Sequence, residues 1–207
     1  VDLERMEALL FEAKRPMVIV GGGGWDAEAC ADLQRFAEAW NLPVGASFRA
    51  QDRLNNDHPN YIGDIGIGIN PKLAERVREA DVIVALGARL GEMTTSNYTL
   101  IEPPEPKQTL IHIHPGAEEL GRVYRPTLGI NAGMKTFLKA ATAMNARPGD
   151  HAGWIKSART EYEDWNNHTA PVPGDVHMGD IVLWLREKLG PDAFICNGAG
   201  NFSSWFH

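Results

Sequence analysis

A doubly wound, Rossmann-like α/β domain, with a parallel sheet and helices on both faces, is the fold class this sequence predicts. Three observations carry the prediction. Short continuous apolar runs, such as residues 17–20 and 82–86, have the length and content of strands buried on both faces. Segments with apolar residues at helical spacing alternate with them. Glycine-bearing turns follow the runs at once, at Gly21–Gly24 and at Gly87-Ala88-Arg89. Strands and helices in alternation imply βαβ units.

Taken in order, Leu3, Met6, Leu10 and Ala13 recur at helical spacing and predict a helix over 2–13, which Pro16 ends. Met17-Val18-Ile19-Val20 reads as the first strand. Ala29, Leu33, Phe36, Ala37 and Trp40 form the apolar stripe of a second helix, with Asp26 as its N-cap. Residues 43–47 predict a strand, and 48–69, rich in Gly, Asn and Asp, read as loop. Asn70-Pro71 caps a helix carrying Leu73, Ala74, Val77 and Ala80. Strands follow at 82–86, 109–113 and 127–130, and Gly133 opens a helix with Met134, Phe137, Leu138 and Ala141 on one face. Beyond the turn-rich stretch Ala146-Arg147-Pro148-Gly149-Asp150, Trp154, Ala158, Tyr162 and Trp165 space as a helix. Pro171 to Gly174 break the chain. Met178, Ile181, Val182, Leu185 and Leu189 predict a last helix, leading into a strand at 193–196 with no sheet of its own. The expected organisation is therefore a central nucleotide-binding-like domain over 1–145, a linker with a helix over 146–176, and an incomplete second unit over 177–207.

Composition excludes several functions. Twenty Lys and Arg against 27 Asp and Glu give a formal net charge of -7, which offers no basic footprint for nucleic acid or an anionic membrane. No apolar run approaches the ~20 residues a membrane span needs. Two distant cysteines, Cys30 and Cys196, make neither a disulfide framework nor a CxxC zinc site, and reduced thiols in a cytoplasmic protein are expected. An opening at Val1 and a close just after a strand give the expectation of an excised piece.

In an open parallel sheet, the loops at the carboxyl ends of the strands line the ligand cleft. Here they carry Gly21–Gly24, Ser47-Phe48-Arg49, Gly87-Ala88-Arg89 and His114-Pro115-Gly116. Glycine admits close backbone approach, and free amides at a helix N-terminus bind phosphate; Arg49 and Arg89 would add charge-assisted bonds to a diphosphate. The competing reading is that the glycines only turn the chain and the arginines pair with surface acids. The run is a poor dinucleotide fingerprint: from Gly21 the third glycine falls on Asp26, and from Gly22 on Ala27. Residues 63–68, GDIGIG, form either an amide nest or a flexible connection. His112 and His114 share a strand face but have no third ligand, so no metal site is assigned. Ser203, Ser204 and His207 are too local for a hydrolase, and no catalytic residue is assigned.

The ordered motifs KRPMVIVGGGG, PVGASFRAQDRLNNDHPNYIGDIGIG, ADVIVALGARLGE and TLIHIHPGAEELGR resemble the central domain of thiamine-diphosphate-dependent enzymes, most of all acetolactate synthase large subunits. DAFICNGAGNFSSWFH resembles the opening strand of that family's diphosphate-binding domain. The resemblance implies a parent of roughly 550 residues on the usual domain scale, a lyase or transferase acting on a 2-oxo acid. An upstream domain would carry the activating glutamate, and a downstream GDG…N motif would hold Mg²⁺ and diphosphate; this sequence contains neither. It also implies Gly200, Asn201 and Phe202 beside thiamine diphosphate, and an assembly of dimers or tetramers. The family's central domain binds FAD, another ADP-containing nucleotide or nothing, and the matching residues are Gly21, Gly22, Gly23, Gly66, Gly87, Ala88 and Arg89. Two departures stand against FAD: acidic positions of the family's HxDxDP-like motif fall on His114 and Gly116, and Gly68 replaces a histidine. The alternative from another class is a stand-alone nucleotide-binding module for FAD, ADP, NAD or CoA. Its NAD-deacetylase subclass would need a zinc-binding cysteine set that two scattered cysteines cannot supply. An interaction scaffold built on exposed Trp154, Trp165 and Trp205 is the third reading.

Overall fold

The computed structural model describes residues 2–147, 149, 151–169, 172–198 and 200–206. Pro148, Asp150, Pro171 and His207, read above as chain breakers or as part of a terminal motif, lie outside the described residues. The elements run α1 (Asp2–Glu12), β1 (Pro16–Val20), α2 (Ala27–Trp40), β2 (Val44–Ser47), β3 (Tyr61–Ile65), α3 (Pro71–Glu79), β4 (Val82–Leu86), β5 (Thr109–His114), β6 (Leu128–Asn131), α4 (Met134–Ala141), α5 (Ala152–Asn167) and α6 (Met178–Lys188). The strands form one parallel sheet in the order β3-β2-β1-β4-β5-β6, so the direction of winding reverses between β1 and β4.

Period-two geometry sorts the apolar runs onto two faces. From β1, Val18 and Val20 join Val84 and Leu86 of β4 on one side, sealed by Met6 and Leu10 of α1, Phe36 and Trp40 of α2, and Phe137 and Leu138 of α4. Met17 and Ile19 face the other way with Ile83 and Ala85, under Leu73 and Val77 of α3 and Ala158 of α5. Every residue of β1 and of β4 is buried, which is why both read as unbroken apolar runs. Each fully buried large side chain contributes about 1.5–3 kcal/mol. Caps set the helix starts: Asp26 accepts from the Ala29 amide at 2.8 Å, and the Asn70 side chain accepts from the Lys72 amide ahead of Pro71. Asn41 closes α2 in the left-handed region, with its amide on Ala37 and Glu38 carbonyls.

Two local expectations are corrected. Residues 48–69 are not all loop, because Tyr61–Ile65 pair with β2 as the edge strand β3. The buried Asn60 side chain, donating to the Ala37 and Leu42 carbonyls, fixes the chain where that strand begins. Residues 193–196 form no strand. Phe194 is 98% exposed and Ile195 half-exposed, and the segment pairs with no strand of the sheet.

The helix expected within 146–176 is α5, and it covers the sheet. Arg76 of α3 makes a two-pronged pair with Glu161 at 2.6 and 2.8 Å, donates to Ser157 Oγ, and stacks 4.4 Å from the Trp154 ring centre. Arg159 Nη1 donates to the carbonyls of Asn56, His58 and Tyr61, gathering the chain that leads into β3. The Trp154 indole donates to Pro16 O at 2.9 Å, so this tryptophan joins α5 to β1 and is not an exposed docking residue. Trp165 is half-exposed and Trp205 partly buried.

Candidate functional site at the carboxyl edge of the sheet

The carboxyl ends of β1 and β4 meet at the reversal point, and the glycines there pack backbone on backbone. Gly22 and Gly87 both have φ of 68°. A Cβ on Gly22 would overlap the Gly87 carbonyl oxygen, and one on Gly87 would come within 2.7 Å of the Gly21 carbonyl oxygen. A Cβ on Gly21 would overlap Ser47 Oγ. Close approach of two strand ends therefore accounts for Gly21, Gly22 and Gly87. Gly23 faces open space. Gly66 is buried beside Phe48 and the Asp64 carboxylate, and Ala88 is fully buried. The structure thus brings Gly21, Gly22, Gly23, Gly87, Ala88 and Arg89 to the adjoining carboxyl ends of β1 and β4, with Gly66 just past the end of β3. Gly200, Asn201 and Phe202 lie apart, at an exposed 3-10 turn spanning Asn201–Trp205.

Electrostatics decides what those strand ends can hold. The N-terminus of α2 already has a carboxylate on it, since Asp26 caps the Ala29 amide and Glu28 stands in the first turn. Lys135 bridges both, at 2.9 and 2.8 Å. The Ala29 amide and Lys135 hold Asp26 below the usual carboxylate range, and Lys135 does the same for Glu28. An incoming phosphate would meet two committed anions. Arg89 points to Glu119 at 3.3 Å, and Arg49 lies 5.0 Å from the Phe48 ring centre. Trp25 folds back to donate to Gly21 O at 2.8 Å, with the Arg53 guanidinium 5.9 Å from its ring centre. The residues present do not fit a nucleotide diphosphate against the start of α2. Gly200, Asn201 and Phe202 are all exposed, so by themselves they do not enclose a thiamine diphosphate.

His112 is buried, with Nε2 3.0 Å from Ala88 O, and burial lowers its pKa. His114 Nδ1 accepts from the Gly116 amide at 3.1 Å, so each imidazole has a backbone partner. Among the described residues no group of three or more His, Cys, Asp or Glu side chains gathers to hold a metal, and no helix is long and apolar enough to cross a membrane. One group went unnoticed in the sequence. Asp64, on β3, is half-buried, and desolvation pushes its pKa up to about 6. Its place inside a glycine-rich stretch gave no sign that it would be withdrawn from water.

The strand order, with its reversal between β1 and β4, defines a doubly wound, Rossmann-like α/β domain. The family model for the thiamine pyrophosphate enzyme, central domain, matches residues 3–141, and the chain belongs to that family. The acetolactate synthase large subunit of Corynebacterium glutamicum is 25% identical over 99% of this chain, which spans 33% of that protein. Isozyme 2 of the same large subunit from Escherichia coli K12 is 22% identical over 99% of the chain and 36% of its own length. Sulfoacetaldehyde acetyltransferase of Castellaniella defragrans is 24% identical over 98% of the chain and 38% of its own length. The chain thus spans about a third of the length of these relatives.

Proposed function

We propose that this chain serves as the central domain of a thiamine-diphosphate-dependent enzyme, most like acetolactate synthase, that decarboxylates a 2-oxo acid and passes the two-carbon or longer unit to an acceptor. The observation that carries the reading is collinearity: the similarity to acetolactate synthases runs through the whole chain, beyond residues 3–141, into α6 and the segment after it. Bound thiamine diphosphate supplies an electron sink for the carbanion left when a 2-oxo acid loses CO₂. The residues of this chain hold neighbouring parts in place. The sheet and α1–α5 form the body, which by the packing of α5 extends to at least Asn167, and residues from Met178 onward begin the unit that would complete the cofactor site. FAD has no role in this reading, because carboxylates stand where its diphosphate would need donors. Mg²⁺ would belong to residues outside this chain, and a dimer or tetramer is the expected assembly.

The test uses two proteins, the 207-residue chain and the same polypeptide extended to the length of its relatives. With thiamine diphosphate, Mg²⁺ and pyruvate, the extended protein is expected to release CO₂ and the chain alone none. An extended protein that is inert toward a panel of 2-oxo acids, or that lacks an upstream glutamate and a downstream GDG…N motif, overturns the proposal. Titration with FAD, ADP, NAD and CoA is expected to give no saturable binding to the chain; tight FAD binding would restore the nucleotide reading.

A further inference from the structure

A cavity of about 310 Å³ lies at the amino ends of β4 and β5, on the sheet edge opposite the glycines of the β1–β4 reversal. Three exposed charged side chains line it: Arg78 from the last turn of α3, Lys107 ahead of β5, and Glu102. None of them forms an ion pair among the described residues. The Arg78 guanidinium makes one long hydrogen bond, from Nε to Thr99 O at 3.4 Å, and its Nη groups make none among the described residues. Gln108 also lines the cavity and is 3% exposed. Its Nε2 donates to the Val77 and Arg78 carbonyls at 3.1 and 3.3 Å, and its buried Oε1 has no partner among the described residues. Tyr98 and Thr99 form a further wall. Ser96, Asn97 and Tyr98 are three successive residues in the left-handed region, with φ of 47°, 54° and 64°. Thr95 holds that turn: its Oγ1 donates to Gly91 O at 2.9 Å and accepts from the Tyr98 amide at 3.1 Å. Backbone strain of this kind gathers at ligand clamps.

Two unpaired cations around one cavity suit an anion, and the arginine fork matches phosphate oxygens. The acceptors beside them narrow the choice. Glu102 would repel an anion that has no proton to share, and Gln108 Oε1, an acceptor left unpaired in a buried place, lacks a donor. Phosphate meets both needs, with charged oxygens for the cations and, at neutral pH, a P–OH for an acceptor. Sulfate has the same shape and no proton to give. A metal ion would meet Arg78 and Lys107, and a carboxylate ion would bring Glu102 no donor. We propose that this cavity binds a phosphate group, free or as a monoester, with Arg78 and Lys107 on its oxygens and its P–OH turned to Glu102 and Gln108. The site lies on the opposite edge of the sheet from the loops after β1 and β4, and it takes no part in the proposed 2-oxo acid chemistry.

Calorimetric titration of the 207-residue chain tests this without any activity readout. The probes are inorganic phosphate, glycerol 3-phosphate and sulfate. At least one phosphate probe is expected to bind saturably, with sulfate at least about tenfold weaker, because a site built around a hydroxyl donor rejects the analogue without one. Tighter binding of glycerol 3-phosphate assigns the site to a monoester, and equal or weaker binding assigns it to the free ion. Arg78→Gln and Lys107→Gln should each weaken the tighter phosphate probe at least about tenfold. Glu102→Gln should remove the preference for phosphate over sulfate. All three side chains are exposed, so each variant is expected to keep the wild-type circular dichroism. Absence of saturable binding for both phosphate probes overturns the proposal, as does sulfate binding as tightly as phosphate, or unchanged binding by the arginine and lysine variants.

Discussion

The body of the sheet and the segment from α6 onward are written in the same apolar vocabulary, and they reach opposite states. Phe36 and Trp40 of α2 are 0% and 1% exposed, whereas Trp184 of α6 is 56% and Phe194 is 98% exposed. Helical spacing made a helix in both places. In the body, each stripe meets a sheet face built from residues far away in sequence. In α6 only Gly179 is buried, and Ile181 and Trp184, with Leu189 just past the helix end, face solvent. Periodicity chooses the element; burial needs an opposing layer. An exposed set of this kind marks a surface meant for a neighbour, which fits the proposal that further chain completes this unit.

Paired substitutions sharpen that contrast, and the largest effect is expected in the core. Phe36→Ala should cost about 3–5 kcal/mol through the cavity it leaves, while Phe194→Ala should stay within about 0.5 kcal/mol; urea denaturation reads both. A costly Phe194→Ala would mean that the second region is already packed. Next comes the clamp that makes α5 part of the body. Arg76→Ala breaks a mostly buried pair and strands Glu161, for about 2–3 kcal/mol, and should open α5 to limited proteolysis before the strands. At the reversal point, Gly22→Ala is expected to cost about 1–3 kcal/mol from positive φ and the nearby Gly87 carbonyl, while Gly23→Ala, in open space, should cost a few tenths at most.

One further effect has the opposite sign. The folded-state pKa of Asp64 is about 6 against an ordinary 3.8. Between those values the folded chain holds a proton that the unfolded chain has released. The charge is therefore destabilising above pH 6, and the penalty is relieved as pH falls through 6 toward 3.8. Asp64→Asn should raise stability at pH 8 by about 1–2 kcal/mol, discounted for partial exposure, with the gain shrinking as the pH approaches 4. A gain that grows on acidification would contradict the burial assigned to this carboxylate.

The sheet was legible because double burial leaves unbroken runs such as Met17–Val20, and because Asp26 and Asn70 announce their helices. Strand β3 was hidden, since glycine at 63 and aspartate at 64 are residues strands avoid; pairing with β2 overrode local preference. The glycines at the β1 and β4 ends could be placed from sequence, but their use could not. Asp26 and Lys135 are 109 positions apart, and only folding puts that lysine between two carboxylates at the start of α2. Asp64 and Arg186 likewise line one cavity only in the folded chain, and Arg76 finds Glu161 across 85 positions. Long-range charge pairing leaves no periodic trace in a single sequence.

Amide hydrogen exchange on the 207-residue chain, compared with the polypeptide extended to the length of its relatives, puts the central contrast to the test. In the chain alone, amides of β1 and β4 should exchange slowest and those of residues 193–198 fastest, and in the longer protein residues 193–198 should become protected by orders of magnitude. Equal, fast exchange at 193–198 in both proteins, or strong protection there in the chain alone, would contradict the account.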